Sequence, residues 1–497
     1  MALIYQAGQV QQTGQIVPQL FVSIQQPAQV ALNGVSTQRI GIIGTASWGP
    51  VNTPTALSDI AGYRSAFGEK QPGATDMGVA VSVAQLQGTS DFRCVRVTDG
   101  TDTAATGTLS GVTFTAACTG TSGNALTVAL SQVGSSTNWQ LVTSHAVLGS
   151  RAYTGANWEA LKTAVSADGS AVIAVMLPAT TPVLAAGSVT LSGGTNGGAP
   201  TTAQFVGSDD TDARTGMYAL RNQGCALGFI HGLTDTTQAS VIGAFGMSEG
   251  VYMIATGPSG DTIANAIALS ASAGYKSYGL KMMFGDWLYF SDDTLGTVMV
   301  SPQSFVAGKL ATLAPSDSSL NKQITGIVGS QKAGLVSAGS SKTYSNAELA
   351  ELFTAGIDVV CNPAPGGSYW AVRGGYNTSL NDLTWGDEYT RLTNYIAESL
   401  AAGMGAYVGQ PINNTLFGDV RASILGLLSD MRGAGYLDNT GTTVPYSAIC
   451  DTSNNPQSRT AIGYLQADVA VQYMGIVRFF YINMQGGAGV TITVSNS

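Results

Sequence analysis

The side chains suited to chemistry are few and poorly placed for it. There are only two histidines, His145 and His231, and neither has a partner at metal-ligand spacing. Each reads as a structural or surface residue. Ser319 and Lys322 fit the S-x-x-K pattern of some acyl-transfer enzymes, but in a chain so rich in Ser the match is coincidence. Asp209, Asp210 and Asp212 could bind a cation, although carboxylates ahead of a helix are favourable to its dipole without any ligand. The Gly197–Gly198 pair could cradle phosphate, yet a domain hinge explains it better. Asn377 and Asn413 open N-x-[ST] triplets that matter only in a secretory pathway. There is no G-x-S-x-G, no P-loop and no G-x-G-x-x-G between a strand and a helix. No catalytic residue, cofactor or metal site is expected. Cys94, Cys118, Cys225, Cys361 and Cys450 lie far apart, with no C-x-x-C pair. Buried free thiols are expected; bridges between subunits of a released particle are the alternative.

With 497 residues, two to four domains are expected. Charged residues make up 10% of the chain, where about 25% is usual. Much of the surface must therefore be Ser, Thr, Asn, Gln and Gly, which can be buried against another subunit without desolvating many ions. A net charge of −9 and the lack of any basic run argue against nucleic acid as a direct partner. No stretch approaches the roughly 18 apolar residues of a membrane span, and the N-terminus lacks the pattern of a secretory signal. Use in the cytoplasm, or release by lysis, is expected.

The elements that would position any site follow from periodicity. Arg39 to Ala46 reads as a buried strand. Ser58 or Asp59 can cap a helix with Ile60, Tyr63 and Phe67 on one face, stopped by Gly68. A second helix starts near Thr75 and carries Val79, Val83 and Leu86; Asp91 to Thr98 returns as a strand. Between Asp102 and Arg151 there is no charge, and alternating apolar positions predict a β-rich insertion over 100–199 ending in the Gly-rich hinge Ser192 to Gly198. Beyond it, strand candidates at Cys225–Ile230, Val251–Ala255 and Leu280–Phe284 alternate with helix candidates near 211–222, 235–248 and 260–274. A further helix spans Ser301 to Leu313. Ser345 and Glu348 form a capping box before Leu349, Leu352 and Phe353, with Gly356 at the C′ position. Strands at Ile357–Cys361 and Tyr369–Val372 precede helices at Asp387–Leu400 and Leu416–Met431.

Both ends of the chain are strand-forming and uncharged: the first charged residue is Arg39 and the last is Arg478. Phe21, Val22 and Ile24 lie in a Gln-rich arm, while Val490, Ile492 and Val494 alternate with Thr491, Thr493 and Ser495. Strands left without charges invite pairing with another chain, which is the habit of a polymer built by β-augmentation.

The run from Arg39 to Gly68, RIGIIGTASWGPVNTPTALSDIAGYRSAFG, resembles the N-terminal signature of contractile tail sheath proteins. The Cys94–Val97 strand resembles that family's following strand. The segment from Met282 to Ser318 resembles the family's middle region, although Gly285, Asp286 and Trp287 stand where an aromatic–Pro–Trp sequence is common, and the usual Arg-rich segment is reduced to Lys309 and Lys322. From Tyr344 to Val494 the order of helices, Gly-rich turn and NNP loop (Asn454 to Pro456) is similar to the family's C-terminal block.

The resemblance implies a multidomain α/β (mixed α+β) fold: an arm over 1–38, an inner domain of 39–99 plus 341–497 built from both termini, a middle α/β domain of 200–340, and the outer insertion. It implies a structural subunit that polymerises as a helical homopolymer or stacked hexameric rings around an inner tail tube protein, with baseplate and tail terminator as further partners. The sheath would be assembled in the host cytoplasm as part of a virion tail. It would contract on energy stored at assembly, driving the tube through the host envelope. Phe21, Val22, Ile24, Val490, Ile492 and Val494 would exchange into sheets of neighbours, and Arg391 would face the tube. The sheath of a bacterial injection device such as a tailocin is the alternative within the class; an oligomeric α/β enzyme on the 200–340 layer is the alternative outside it.

Overall fold

A computed structural model of the 497-residue chain describes residues 3–6, 21–24, 32, 34–134, 136–210, 213–335, 342–438, 440–441 and 443–484, the first two segments as backbone alone. At the centre a seven-stranded sheet runs, edge to edge, Ile357–Asp358, Leu280–Met283, Tyr252–Thr256, Leu227–Ile230, Ile40–Gly44, Phe92–Arg96 and Thr55–Leu57. Neighbours are parallel except for the last pair. Such a sheet needs cover on both faces, and all five residues of Ile40–Gly44 are buried. Helices Ile60–Phe67, Met77–Leu86 and Pro302–Ala311 pack one apolar face. Helices Ala239–Glu249, Ile263–Ala273 and Asn346–Thr354 pack the other. Two of the first group touch closely: a Cβ on Gly308 would stand 2.7 Å from the Ala84 Cα.

The sequence signals set most of these helices. Asp59 caps the first, its Oδ1 accepting from the Gly62 N–H at 2.7 Å. Both bonds of the Ser345–Glu348 capping box are present. The expected helix near 211–222 is instead a 3-10 turn over Gly216–Leu220, and a short helix at Thr202–Val206 precedes it. The expected elements do not include a four-stranded antiparallel sheet that the chain forms from Leu288–Asp292, Gly296–Val300, Ile327–Ser330 and Gly334–Leu335.

One boundary differs from expectation. Strands from 39–99 and from 200–340 are hydrogen-bonded in one sheet, Ile40–Gly44 lying directly against Leu227–Ile230. The split into an inner unit of 39–99 plus 341–497 and a separate middle unit of 200–340 therefore cuts through a continuous ladder. Composition marks where the insertion interrupts the chain, but it carries no record of which strands pair across it. Residues 101–198 do have a core of their own. It is built on a four-stranded and a three-stranded sheet with helix Trp158–Ala167, around Phe114, Leu141 and Trp158. Helices Asp387–Met404 and Asn414–Gly433 share a further core with the two-stranded sheet Tyr446–Ile449/Asp468–Val471.

A buried ion cluster joins that helical unit to the sheet. Lys281 Nζ lies 2.7 Å from Asp358 Oδ2 and 3.0 Å from Asp387 Oδ1, and all three side chains are fully buried. Tyr252 Oη donates to Asp387 at 2.6 Å, the Ser319 N–H at 3.2 Å and the Ser319 hydroxyl as well. Asp358 accepts from the N–H groups of Val359, Gly374 and Tyr376. Burial works against the Lys281 charge, but the two carboxylates outweigh it and raise the ammonium pKa. Burial likewise opposes ionised Asp387, yet Lys281, with Ser319 and Tyr252, holds its pKa below the usual carboxylate value.

Removing one partner of such a cluster strands the others in a dry interior. Lys281→Met should cost about 3–5 kcal/mol, read as a fall in the urea midpoint; a loss below about 1 kcal/mol would show the cluster to be replaceable.

Candidate functional site

In an open α/β sheet a ligand crevice forms where the strand order reverses, at the carboxyl ends of the strands. Here the reversal lies between Ile40–Gly44 and Leu227–Ile230. The chain fills that position itself. Thr45 N–H donates to Thr75 O at 2.8 Å, and Met77 N–H donates back to Thr45 O at 3.0 Å. A Cβ at Gly232 (φ +70) would stand 2.1 Å from Ala74 O, so the backbones are in direct contact. Gln303 seals the neighbouring strand end, accepting from Gly232 N–H at 3.2 Å and donating to Ile254 O at 2.8 Å. His231, beside this plug, is 1% exposed. Burial pushes its pKa down to about 4.

The other candidates are engaged in holding turns and helices. His145 Nδ1 accepts from the N–H groups of Val147 and Leu148 at 3.1 and 3.0 Å. Ser319 belongs to the Asp387 cluster. Asp209 pairs with Arg214 and Arg221 at 3.1 and 2.6 Å; Asp212 lies outside the described residues. The Gly198 N–H closes on Asp99 Oδ2 at 2.9 Å. Asn377 is buried with its amide on Thr384 O and Thr390 Oγ1, and Asn413 caps Asn414–Gly433. Cys94, Cys225, Cys361 and Cys450 are buried and Cys118 partly so. Burial raises every thiol pKa, to about 12 at Cys225 and about 11 at Cys361. Among the described residues no group of three His, Cys, Asp or Glu could hold a metal ion, and no helix is long and apolar enough to cross a membrane.

What the chain does present is a pair of terminal segments. Phe21–Ile24, including Phe21, Val22 and Ile24, pairs in parallel with Leu3–Gln6, forming a two-stranded sheet among the described residues. Two strands alone are marginal, and parallel strands are normally covered on both faces. Val490, Ile492 and Val494 lie outside the described residues. Just before them Phe479, Phe480, Tyr481, Ile482 and Met484 are each more than two-thirds exposed, an apolar run of the kind that marks an interface.

Arg391 is corrected by the structure. Its side chain is buried, and its guanidinium donates to Leu313 O and Ala314 O, both at 2.8 Å, just past helix Pro302–Ala311. Burial lowers its pKa to about 10. The guanidinium is turned into the subunit, onto carbonyls of the loop that follows the helix, and so does not face outward toward a tube. On the same helix Ala397, Ala401 and Ala402 are the exposed residues.

No family model matches this sequence, and no curated protein matches it. Solved structures do match its fold. A sheath tail protein of Listeria innocua aligns with TM-score 0.62 at 14% identity, over 85% of this chain and 90% of that one. A sheath tail protein of Desulfitobacterium hafniense aligns with TM-score 0.56 at 14% identity, over 86% and 93%. The contracted PVC sheath of an extracellular contractile injection system gives TM-score 0.56 at 12% identity, over 95% and 99%. The fold is thus that of the contractile sheath proteins, over nearly the whole chain.

The plug at the strand reversal sets a pH test. Asp76 caps Met77–Leu86, and burial raises its carboxyl pKa to about 7. The unfolded carboxyl ionises near pH 4, so the folded state binds the extra proton between about 4 and 7, and stability falls as pH rises through that window. His231 has the opposite sign: its pKa is depressed, so its contribution is lost as pH falls from about 6.5 to about 4. Asn caps as well as Asp. Asp76→Asn should therefore gain about 2–4 kcal/mol near pH 8, a gain that vanishes below about pH 4. Equal urea midpoints at both pH values would contradict it.

Proposed function

We propose that this chain is the structural subunit of a contractile tail sheath, polymerising around an inner tail tube and driving it through the host envelope on contraction. The observation that carries the reading is near-complete coverage of sheath proteins by one fold, combined with uncharged terminal segments. The filled strand reversal supports a structural role over the enzyme alternative.

Strand exchange is the reading that suits the ends. The parallel pair of the arm is too small to persist alone. The two-stranded sheet Tyr446–Ile449/Asp468–Val471 offers an acceptor for strands of neighbouring copies. Contacts of this head-to-tail kind propagate into a helix instead of closing as a dimer. With no nucleotide to supply energy, the subunits would be trapped at assembly in an extended lattice and relax to a shorter, wider one with better interfaces. Similar folds occur in the contracted helical sheath of the anti-feeding prophage and in its baseplate. On this reading the partners are further copies of the chain, the baseplate, the tube and the tail terminator. The particle is a phage tail, its virion assembled in the host cytoplasm, or a bacterial injection device of the same build.

Deleting residues 1–30 or 485–497 should leave a folded subunit, with melting temperature unchanged within a few degrees, that no longer forms tubes in electron micrographs. Tubes of normal length from both truncations would contradict strand exchange.

A further inference from the structure

We infer that the helix Asp387–Met404 is the common mount of both terminal segments, with Arg478 clamping the C-terminal one and a glycine seat at Gly403 holding the N-terminal one. The inference deepens the sheath reading, since it says how exchanged strands would be tied to the body of the subunit.

The C-terminal segment leaves the small sheet at Tyr473 and runs without regular structure to Met484, with no backbone hydrogen bond to any described residue. Burial alternates along it: Ile476 and Arg478 face the body, while Val477 and Phe479 face outward at 71% exposure each. From Phe479 to Met484 every residue is exposed. Its anchor is Arg478. Nη2 lies 2.6 Å from Glu388 Oε1, and Nη1 donates to Gly374 O at 3.1 Å. The guanidinium carbon stands 4.8 Å from the Tyr376 ring centre and 5.6 Å from that of Trp385, two rings stacked at 4.4 Å. A planar cation held by a carboxylate, a carbonyl and two aromatic faces has one orientation that satisfies them all. It is also the last charge in the chain. Everything beyond it can leave the surface without desolvating an ion.

The N-terminal segment meets the same helix at its far end. Leu32 is buried in the core formed with Leu392, Ile396 and Leu428. A Cβ on Gly403 would lie 2.0 Å from Leu32 Cδ2, and a Cβ on Gly34 would lie 1.8 Å from Tyr395 Oη. The Val35 N–H donates to Ser399 Oγ at 3.2 Å. Glu388 and Gly403 are separated by about 22 Å of helix at 1.5 Å per residue.

The mount is itself fixed. Asp387 is locked to the sheet by Lys281, and Arg391 ties the next turn to the end of Pro302–Ala311. The two departure points are therefore held at a constant spacing. A pull on either segment passes through one rigid helix to the sheet.

Three variants of the full-length chain test this, each first checked for an unchanged melting curve. In the unassembled subunit, Arg478→Ala should speed chymotryptic cleavage after Phe479, Phe480 or Tyr481 by on the order of tenfold, because cleavage samples the opened segment. Arg478→Lys should recover only part of the protection, lacking the planar stack. Gly403→Val keeps or improves helix propensity but fills the Leu32 seat, so amide exchange at Val35 to Thr37 should accelerate without a fall in melting temperature. Cleavage equal to wild type in Arg478→Ala, or unchanged exchange in Gly403→Val, would overturn the mount. In assembly, Arg478→Ala and Gly403→Val should give fewer and shorter tubes; normal tubes from both would also overturn it. If the wild-type chain forms no tubes, the sheath reading fails, while cleavage and exchange still decide the mount.

Discussion

Lys281, Asp358 and Asp387 share one dry site, and the position of helix Asp387–Met404 on the sheet depends on it. Taking three charges from water is expensive, and the cost is offset only where every partner is in place. Tyr252, Ser319 and the amides around Asp358 complete the set. A helix rotated or shifted by a turn would bury Asp387 without Lys281, Tyr252 and Ser319, so intermediate placements are disfavoured. Two other buried ions extend the same logic. Lys70 holds Asp292 at 2.7 Å, joining the helical face to the antiparallel sheet. Although burial opposes its charge, Asp292 is brought down to about 2 by Lys70 and by the Thr294 and Leu295 amides. Arg96 donates to Ala46 O, Gly49 O and Thr119 O, pinning the insertion at its root.

A subunit stapled in this way is suited to moving as a block. Charged residues are only 10% of the chain, so the surface carries few ions. Such a surface can change partners at modest electrostatic cost, as the proposed lattice with two packings would require. The place where a doubly wound sheet would hold a nucleotide is occupied by Thr75 to Met77. The chain has turned a potential ligand crevice into core.

Local features were legible in the sequence because local chemistry decides them. Ser345 and Glu348 form the capping box their spacing announces, and Ile60, Tyr63 and Phe67 share the face their period implies. Long-range pairing was not legible. Ile40–Gly44 meets Leu227–Ile230 across an insertion of about a hundred residues, a pairing no local pattern encodes. Resemblance alone places Arg391 toward a tube, whereas its acceptors lie on a loop more than seventy residues away in sequence, which no local pattern encodes. The strands YSAI and DVAV are too short to rise above background. The hairpin Leu288–Val300 did carry a signal, alternation about a DDTLG turn. At the termini, missing charge pointed to the segments, but the clamp on Arg478 needs Tyr376, Trp385 and Glu388 to converge, and only the fold brings them together.

Negative-stain electron microscopy of the purified full-length chain at rising concentration tests the central claim most directly. Hollow, striated tubes that lengthen with concentration are the predicted result. Compact particles of one fixed size at every concentration, with and without an added tail tube, would contradict it.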